Sequence, residues 1–428
     1  MRHADLTARH RAVMPKWQAL YYEEPIAIDH GEGRYVWDAE GRRYLDFFGG
    51  ILTTISGHGV PEVVEAIREQ AGKLLQSSTL YLIPPAIELA EQIAELSPVP
   101  DAKVFFTTSG TEAVELALLL ATSARRSNQV LALRNSYHGR SFAAIAVTGN
   151  RSWSASGLSP FQVAFVQNGY RYRSPFKDLP DEQFIAACAD DLRNVIETGT
   201  SGDVACLIAE PIQGVGGFTV PPDGFFAAMK SVCDEHGILF IADEVQTGWG
   251  RTGEHFWGIQ AHGVTPDAIV FAKGIGNGLS LAGVVARAEL MDSLTANSIS
   301  TFGGNPLVTA GALANLRYVL DHDLQGNARE VGAQLIERLH SLEGTVPIVG
   351  EVRGKGLMIG VELVEAGSMT PSPGAATRVM ETCKEEGLLV GKGGLYGNVL
   401  RLSPPLSLTP AEADDGYAVL DAAIRKAN

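Results

Sequence analysis

A chain of 428 residues, 45% hydrophobic and 19% charged, is long enough for one large domain and a smaller one, with the composition of an ordinary soluble globular protein. Its net charge of −15 at pH 7 opposes nucleic acid and anionic membranes, so neither is an expected partner and any bound anion must be held by local geometry. The four cysteines, Cys188, Cys206, Cys233 and Cys383, show neither C-x-x-C pairing nor zinc-like spacing and read as reduced core thiols, with no metal site expected.

Met1 to His10 carries Arg and His with no apolar stretch behind it, unlike a secretory signal. No apolar run approaches the ~20 residues that span a bilayer, and the cytoplasm is the expected location. Gly33 to Phe48 alternates apolar and polar residues around Asp38-Ala39-Glu40-Gly41, which predicts a β-hairpin. After the glycine-rich Gly49 to Gly59, Pro61 opens a helix in which Val63, Val64, Ile67, Ala71, Leu74 and Leu75 recur at helical spacing. From about 60 to 320, short apolar runs alternate with amphipathic helices; the strand candidates are Val104–Thr107, Val130–Arg134, Ala205–Ala209, Ile238–Ala242 and Ala268–Ala272. Such βα alternation predicts an α/β fold with a mostly parallel central sheet flanked by helices.

The last hundred residues change character. A helix around Arg329 to Leu342, a strand-like stretch from Glu351 to Val364, another helix and a strand Val399–Leu402 precede a closing helix, which the capping box Thr409-Pro410-Ala411-Glu412 announces. The expected division is an N-terminal segment 1–58, a large domain 59–324 and a small α+β domain 325–428. The N-terminal hairpin should join the small domain, since a lone hairpin is marginal in water.

Ligands of open parallel sheets bind beyond the carboxyl ends of the strands, and three such ends are unusual here. Lys103-Val104-Phe105-Phe106 is followed by Thr107-Thr108-Ser109-Gly110-Thr111-Glu112-Ala113 at the start of a long apolar helix. Its free amides and positive dipole end offer a phosphate seat, although S-x-x-E also caps helices that bind nothing. The run Ile238 to Ala242 ends in Asp243, either a helix N-cap or an acid that needs a cationic partner to be buried. The run Ala268 to Ala272 ends in Lys273 before Gly274-Ile275-Gly276-Asn277-Gly278. A lysine there is either a snorkelling cation or a desolvated amine able to form a Schiff base. Phosphate seat, aspartate and lysine on three separate strands are the three anchors that pyridoxal phosphate requires. Motifs for P-loops, zinc peptidases, dinucleotide folds and serine hydrolases are absent.

The segments Ser109 to Ala113, Tyr137-His138-Gly139-Arg140, Glu210-Pro211-Ile212-Gln213-Gly214, Asp243-Glu244-Val245-Gln246-Thr247-Gly248, Lys273-Gly274 and Thr301-Phe302-Gly303-Gly304-Asn305-Pro306 stand in one order along the chain. Together they resemble the class III (ω-amino acid) aminotransferases, pyridoxal-phosphate enzymes of fold type I, from the Gly33 hairpin through Pro405. The resemblance implies that Ser109, Gly110 and Thr111 hold the phosphate, that Tyr137 stacks on the pyridine with Val245 on its other face, and that Gln246 meets the ring hydroxyl. It further implies that Asp243 pairs with the ring nitrogen, that Lys273 forms the imine, and that Thr301 reaches the phosphate of a neighbouring subunit in a homodimer. Glu210, of the E-P-x-Q-G motif, and Ile51, at an aliphatic wall position, join the substrate side.

The implied reaction is a ping-pong transfer from an amino donor to an α-keto acid, with Lys273 moving the proton. The same resemblance covers decarboxylating aminotransferases and aminomutases, and the sequence separates them poorly. For substrates, Arg401 matches the family arginine for the carboxylate next to the reacting carbon, and Arg140 the one for a distal carboxylate. Where the GABA and ornithine groups place a glutamate that masks the near arginine, this chain has Val215. The expectation is therefore an ω-donor of the GABA or β-alanine type, a small keto-acid acceptor and tolerance of alanine.

Overall fold

The computed structural model describes residues 3–18 and 20–428. The five expected central strands form, as β4 (Ala102–Thr107), β5 (Gln129–Leu133), β7 (Val204–Ala209), β8 (Leu239–Asp243) and β9 (Ala268–Phe271), and two further strands join them, β6 (Gln162–Val166) and β10 (Ala282–Arg287). Their order is β4-β10-β9-β8-β7-β5-β6. All pairings from β9 to β6 are parallel, whereas β10 runs antiparallel to both β9 and β4.

Period-2 alternation sends neighbouring residues of each strand to opposite faces. Leu131, Leu207, Phe240 and Ile269 enter one apolar cluster, and Val130, Ala132, Cys206, Ile208, Ile241 and Val270 enter the other. The second face is covered by the helix Gly110–Arg125 through Ala113, Val114, Ala117, Leu118 and Ala121. The first is covered by three helices that contribute Phe184 and Leu192, Phe226 and Met229, and Leu313 and Leu316. Coverage of both faces is why the central strands read as continuous apolar runs. At ~25 cal/mol per Å² of apolar surface, this sandwich is the main source of stability.

The N-terminal hairpin forms from β2 (Tyr35–Asp38) and β3 (Arg43–Asp46), with Asp38 accepting the turn amides of Glu40 and Arg42. A strand not foreseen, β1 (Ile28–Glu32), extends it. The stretch Glu351 to Val364 is two antiparallel strands rather than one, β11 (Val349–Lys355) and β12 (Met358–Leu363), reversing at Gly356-Leu357. β14 (Gly391–Gly393) and β15 (Val399–Leu402) complete that sheet, while β13 (Leu388–Leu389) pairs in parallel with β3 and ties the hairpin to the C-terminal part of the chain.

The helix opened by Pro61 ends at Lys73, so Leu74 and Leu75 lie outside it and are exposed. The closing helix Pro410–Ala427 carries its capping box, Thr409 and Glu412 satisfying each other's amides. All four cysteines are buried and unpaired. Among the described residues no helix is long and apolar enough to cross a membrane.

Candidate active site

The carboxyl ends of the parallel strands converge on a cavity of about 370 Å³, within the ~300–1,000 Å³ of small-ligand sites. β4 delivers Thr108, Ser109, Gly110 and Thr111, β5 leads to Tyr137, β7 to Glu210, β8 to Asp243, Val245 and Gln246, and β9 to Lys273; all line the cavity. Because β10 is antiparallel, its amino end lies at this same edge and adds Gly278 to Leu281. The carboxyl-end rule alone overlooks that contribution.

At the start of the helix Gly110–Arg125, the Ser109 hydroxyl caps the amide of Glu112 at 3.2 Å. The Glu112 carboxylate turns back to accept the amide and hydroxyl of Thr108. The amides of Gly110 and Thr111, in the first turn, have no intrahelical acceptor, and they carry the positive end of the helix dipole at the cavity wall. A Cβ on Gly110 would meet Val245 and Ala272 at 3.4 Å, an ordinary contact distance. Gly139 has φ +134°, and a Cβ on it would lie 2.6 Å from the Thr111 hydroxyl. Only glycine lets the Tyr137-His138-Gly139 turn press against this helix start.

Asp243 and His138 form the buried polar centre. The Asp243 carboxylate is 2.7 Å from His138 Nδ1, and both residues are almost wholly buried. The sequence around His138 shows no role for it, because its partner lies 105 positions away along the chain. His138 Nε2 and Gln246 Oε1 are buried without a partner among the described residues. Such groups are costly to leave bare, which marks them as places for water or ligand.

Glu210 accepts the amides of Tyr137 at 2.9 Å and Gly214 at 2.8 Å. Burial pushes its carboxyl up to about 7, the Asp243 charge acts in the same direction, and His138 and the two amides oppose them. Burial also lowers the Lys273 amine to about 8, against the pull of Asp243 and Glu210 and with help from the Arg401 charge. Desolvation exceeds Coulombic attraction at this amine, the condition for a nucleophilic lysine. Lys273 lies in left-handed backbone, φ 49°, which turns the chain sharply off β9. The Tyr137 phenol is raised by burial and meets Trp153 edge-on at a ring separation of 5.5 Å.

Four of the expected site residues do not line the cavity. Ile51 is exposed in a left-handed turn at φ 68°, while its neighbour Thr53 does line the cavity. Thr301 is exposed, and its carbonyl accepts Gln76. Arg140 is exposed, with its guanidinium 5.5 Å from the ring centroid of Trp17. Arg401 is buried, with bonds to the carbonyls of Lys392 at 3.2 Å and Gly214 at 3.3 Å. It makes no ion pair among the described residues, and Val215 supplies only its carbonyl, to Gly394.

Residues 18–424 match a family model described as Aminotransferase class-III. The chain is 40% identical to alanine–glyoxylate aminotransferase 2 homolog 2, mitochondrial, of Arabidopsis thaliana, over 98% of this chain and 87% of that protein. It is 37% identical to the 5-aminovalerate aminotransferase DavT of Pseudomonas putida, over 97% of each. Among solved structures, an amine transaminase from an uncultivated Pseudomonas species in its PLP-bound form superposes with a TM-score of 0.89 at 34% identity, covering 97% of this chain and 98% of that one.

Proposed function

The chain belongs to the class-III aminotransferases, and on that premise we propose that it moves an amino group from an ω-amino acid of the GABA or β-alanine type to a small α-keto acid, in two half-reactions of a ping-pong cycle. The observation that carries the reading is the convergence, in one cavity, of a desolvated lysine, a buried aspartate and a helix start whose Gly110 and Thr111 amides are free.

The family's cofactor is pyridoxal phosphate, and the residues present fit it. The free amides at Gly110 and Thr111 suit a phosphate. The buried Asp243 anion suits a protonated ring nitrogen, and the bare Gln246 amide oxygen suits a ring hydroxyl. When bound, the cofactor supplies an electron sink that acidifies the carbon carrying the amine. Ser109, Gly110 and Thr111 would anchor the phosphate, and Tyr137 and Val245 would line the two sides of the ring.

The chain's own groups then do the rest. Asp243, fixed by His138, would keep the ring nitrogen protonated. Lys273 Nζ would take the proton from the donor carbon and deliver it to the cofactor carbon that receives the amine; an amine lowered to about 8 by burial is suited to both transfers near neutrality. Arg401, without a carboxylate beside it, is open to the near carboxylate of a keto acid or of alanine. Arg140 would serve the distal carboxylate by leaving its position over Trp17. Thr301 would complete the partner's phosphate site in a homodimer.

Steady-state kinetics with β-alanine, GABA and alanine as donors and pyruvate as acceptor test the assignment. Arg140→Ala should raise the KM for the ω-donors far more than for alanine, and Arg401→Ala should damage pyruvate use most. Untouched ω-donor kinetics in Arg140→Ala, or activity restricted to amines without a carboxylate, overturns the two-arginine reading.

A further inference from the structure

Behind the loop Gly214 to Phe218, outside the cavity, lies a buried charge cluster that the reaction does not use. Arg353 of β11 and Glu362 of β12 are 8% and 1% exposed and paired at 2.8 Å. Glu362 also accepts Tyr170, Arg173 and Asn398, and the Arg353 guanidinium lies 4.7 Å from the Tyr170 ring centroid. A buried ion cluster adds little net stability against an apolar replacement, so its geometry is the more informative property. While Nη1 is shared by Glu362 and Glu351, the Nε–Nη2 edge of the Arg353 guanidinium is spent on one atom, the carbonyl oxygen of Gly217, at 3.0 and 2.8 Å.

That carbonyl is one peptide from Phe218 and three residues from Gly214, and both of these touch Arg401. Phe218 is wholly buried in left-handed backbone, with its ring centroid 5.5 Å from the Arg401 guanidinium carbon. The Gly214 carbonyl accepts Arg401 Nη1 and also the Gly217 amide, so Gly217 cannot move without disturbing it. Phe48 lies 6.0 Å away as the other aromatic neighbour of Arg401. An arginine with no carboxylate partner among the described residues is thus oriented by two rings and two carbonyls, and half of that frame hangs on the Gly217 loop.

We infer that Arg353 is a positioning residue for Arg401: by gripping the Gly217 carbonyl it holds Phe218 and the Gly214 carbonyl against the Arg401 guanidinium and thereby sets affinity for a substrate carboxylate. This rests on the assignment of Arg401 as the near-carboxylate site. Lysine at 353 keeps the charge but cannot span Glu362 and Gly217 with a planar fork.

The test measures, in the holoenzyme, the KM for pyruvate, kcat, the inhibition constant of propionate as a carboxylate that cannot react, and the melting temperature. Arg353→Lys and Phe218→Leu should each raise the pyruvate KM and the propionate constant together, by roughly tenfold, with kcat held within about twofold. A folded Arg353→Lys enzyme with both constants unchanged, or one whose kcat falls as far as its KM rises, overturns the inference. Should Arg353→Lys fail to fold, Phe218→Leu decides by the same criterion. Arg401→Ala separates the two levels. If it leaves the propionate constant unchanged, the carboxylate assignment falls and the inference with it. If it raises that constant while Arg353→Lys does not, the inference alone falls.

Discussion

Gly214 has no side chain, and the space that a side chain would need is occupied by Gln246. A Cβ at Gly214 would stand 2.2 Å from the Cδ, Nε2 and Oε1 atoms of Gln246, where ordinary contact begins near 3.4 Å. The Gly214 backbone cannot yield, because its amide is tied to Glu210 and its carbonyl to Arg401. In Gly214→Ala the Gln246 amide must therefore retreat by more than ~1 Å. The retreat is cheap in stability, since Gln246 Oε1 has no partner to lose among the described residues, and about 1 kcal/mol is expected, the low end for overpacking. Its effect on catalysis is larger, because a displacement of ~1 Å beside a reacting group can cost up to ~100-fold. Gly214→Ala should lower kcat/KM by roughly 10- to 100-fold with little change in melting temperature. A double-mutant cycle checks the cause: in a Gln246→Ala background the clash is gone, and adding Gly214→Ala should cost less than about 0.5 kcal/mol more. A full-sized penalty that persists without the Gln246 side chain refutes the argument.

Lys273→Ala should abolish amino transfer while circular dichroism remains native; amine exchange at a comparable rate would remove Lys273 from the chemistry. Asp243→Asn keeps a hydrogen-bonding group beside His138 but removes the carboxylate charge, and hydrogen bonds to charged groups are worth ~1.5–3 kcal/mol, so proton abstraction in single-turnover experiments should slow by roughly 10- to 100-fold while cofactor stays bound. An unchanged rate would count against its role as the ring-nitrogen partner. Exposed Tyr81, Leu82 and Phe302, the last beside Thr301, form apolar surface that a homodimer would cover, so dissociation and loss of cofactor should be linked in sedimentation experiments. A fully active monomer would be incompatible with Thr301 serving the neighbouring site.

The residues legible from sequence were those whose signal is local. Ser109, Asp243 and Lys273 each follow an apolar run, and a run that ends in a polar residue can be read without knowing the rest of the fold. The strands β6 and β10 were not legible, for different reasons. β6 is an edge strand whose short Val-Ala-Phe-Val run periodicity alone does not tell from a helix segment, and β10 emerges from a glycine-rich loop in the unexpected direction. The antiparallel course of β10 also brings Gly278 to Leu281 to the cavity from an amino end, which the carboxyl-end rule does not cover. The His138–Asp243 contact spans more than a hundred positions and leaves no local trace. Arg140 illustrates the opposite limit: a motif fixes where its backbone runs, but a long side chain is free to stack on Trp17 instead of entering the cavity.

A left-handed residue bearing a Cβ costs ~1–2 kcal/mol relative to its right-handed form, and glycine or asparagine at position 273 would escape most of that cost. On the proposed role of Lys273, stability and turnover therefore pull in opposite directions at this position. A variant library sorted for heat tolerance alone would drift toward losing it, and the survivors would look like improved proteins until they were given a substrate. On that proposal, any programme to harden this enzyme has to hold position 273 fixed and seek its gains elsewhere.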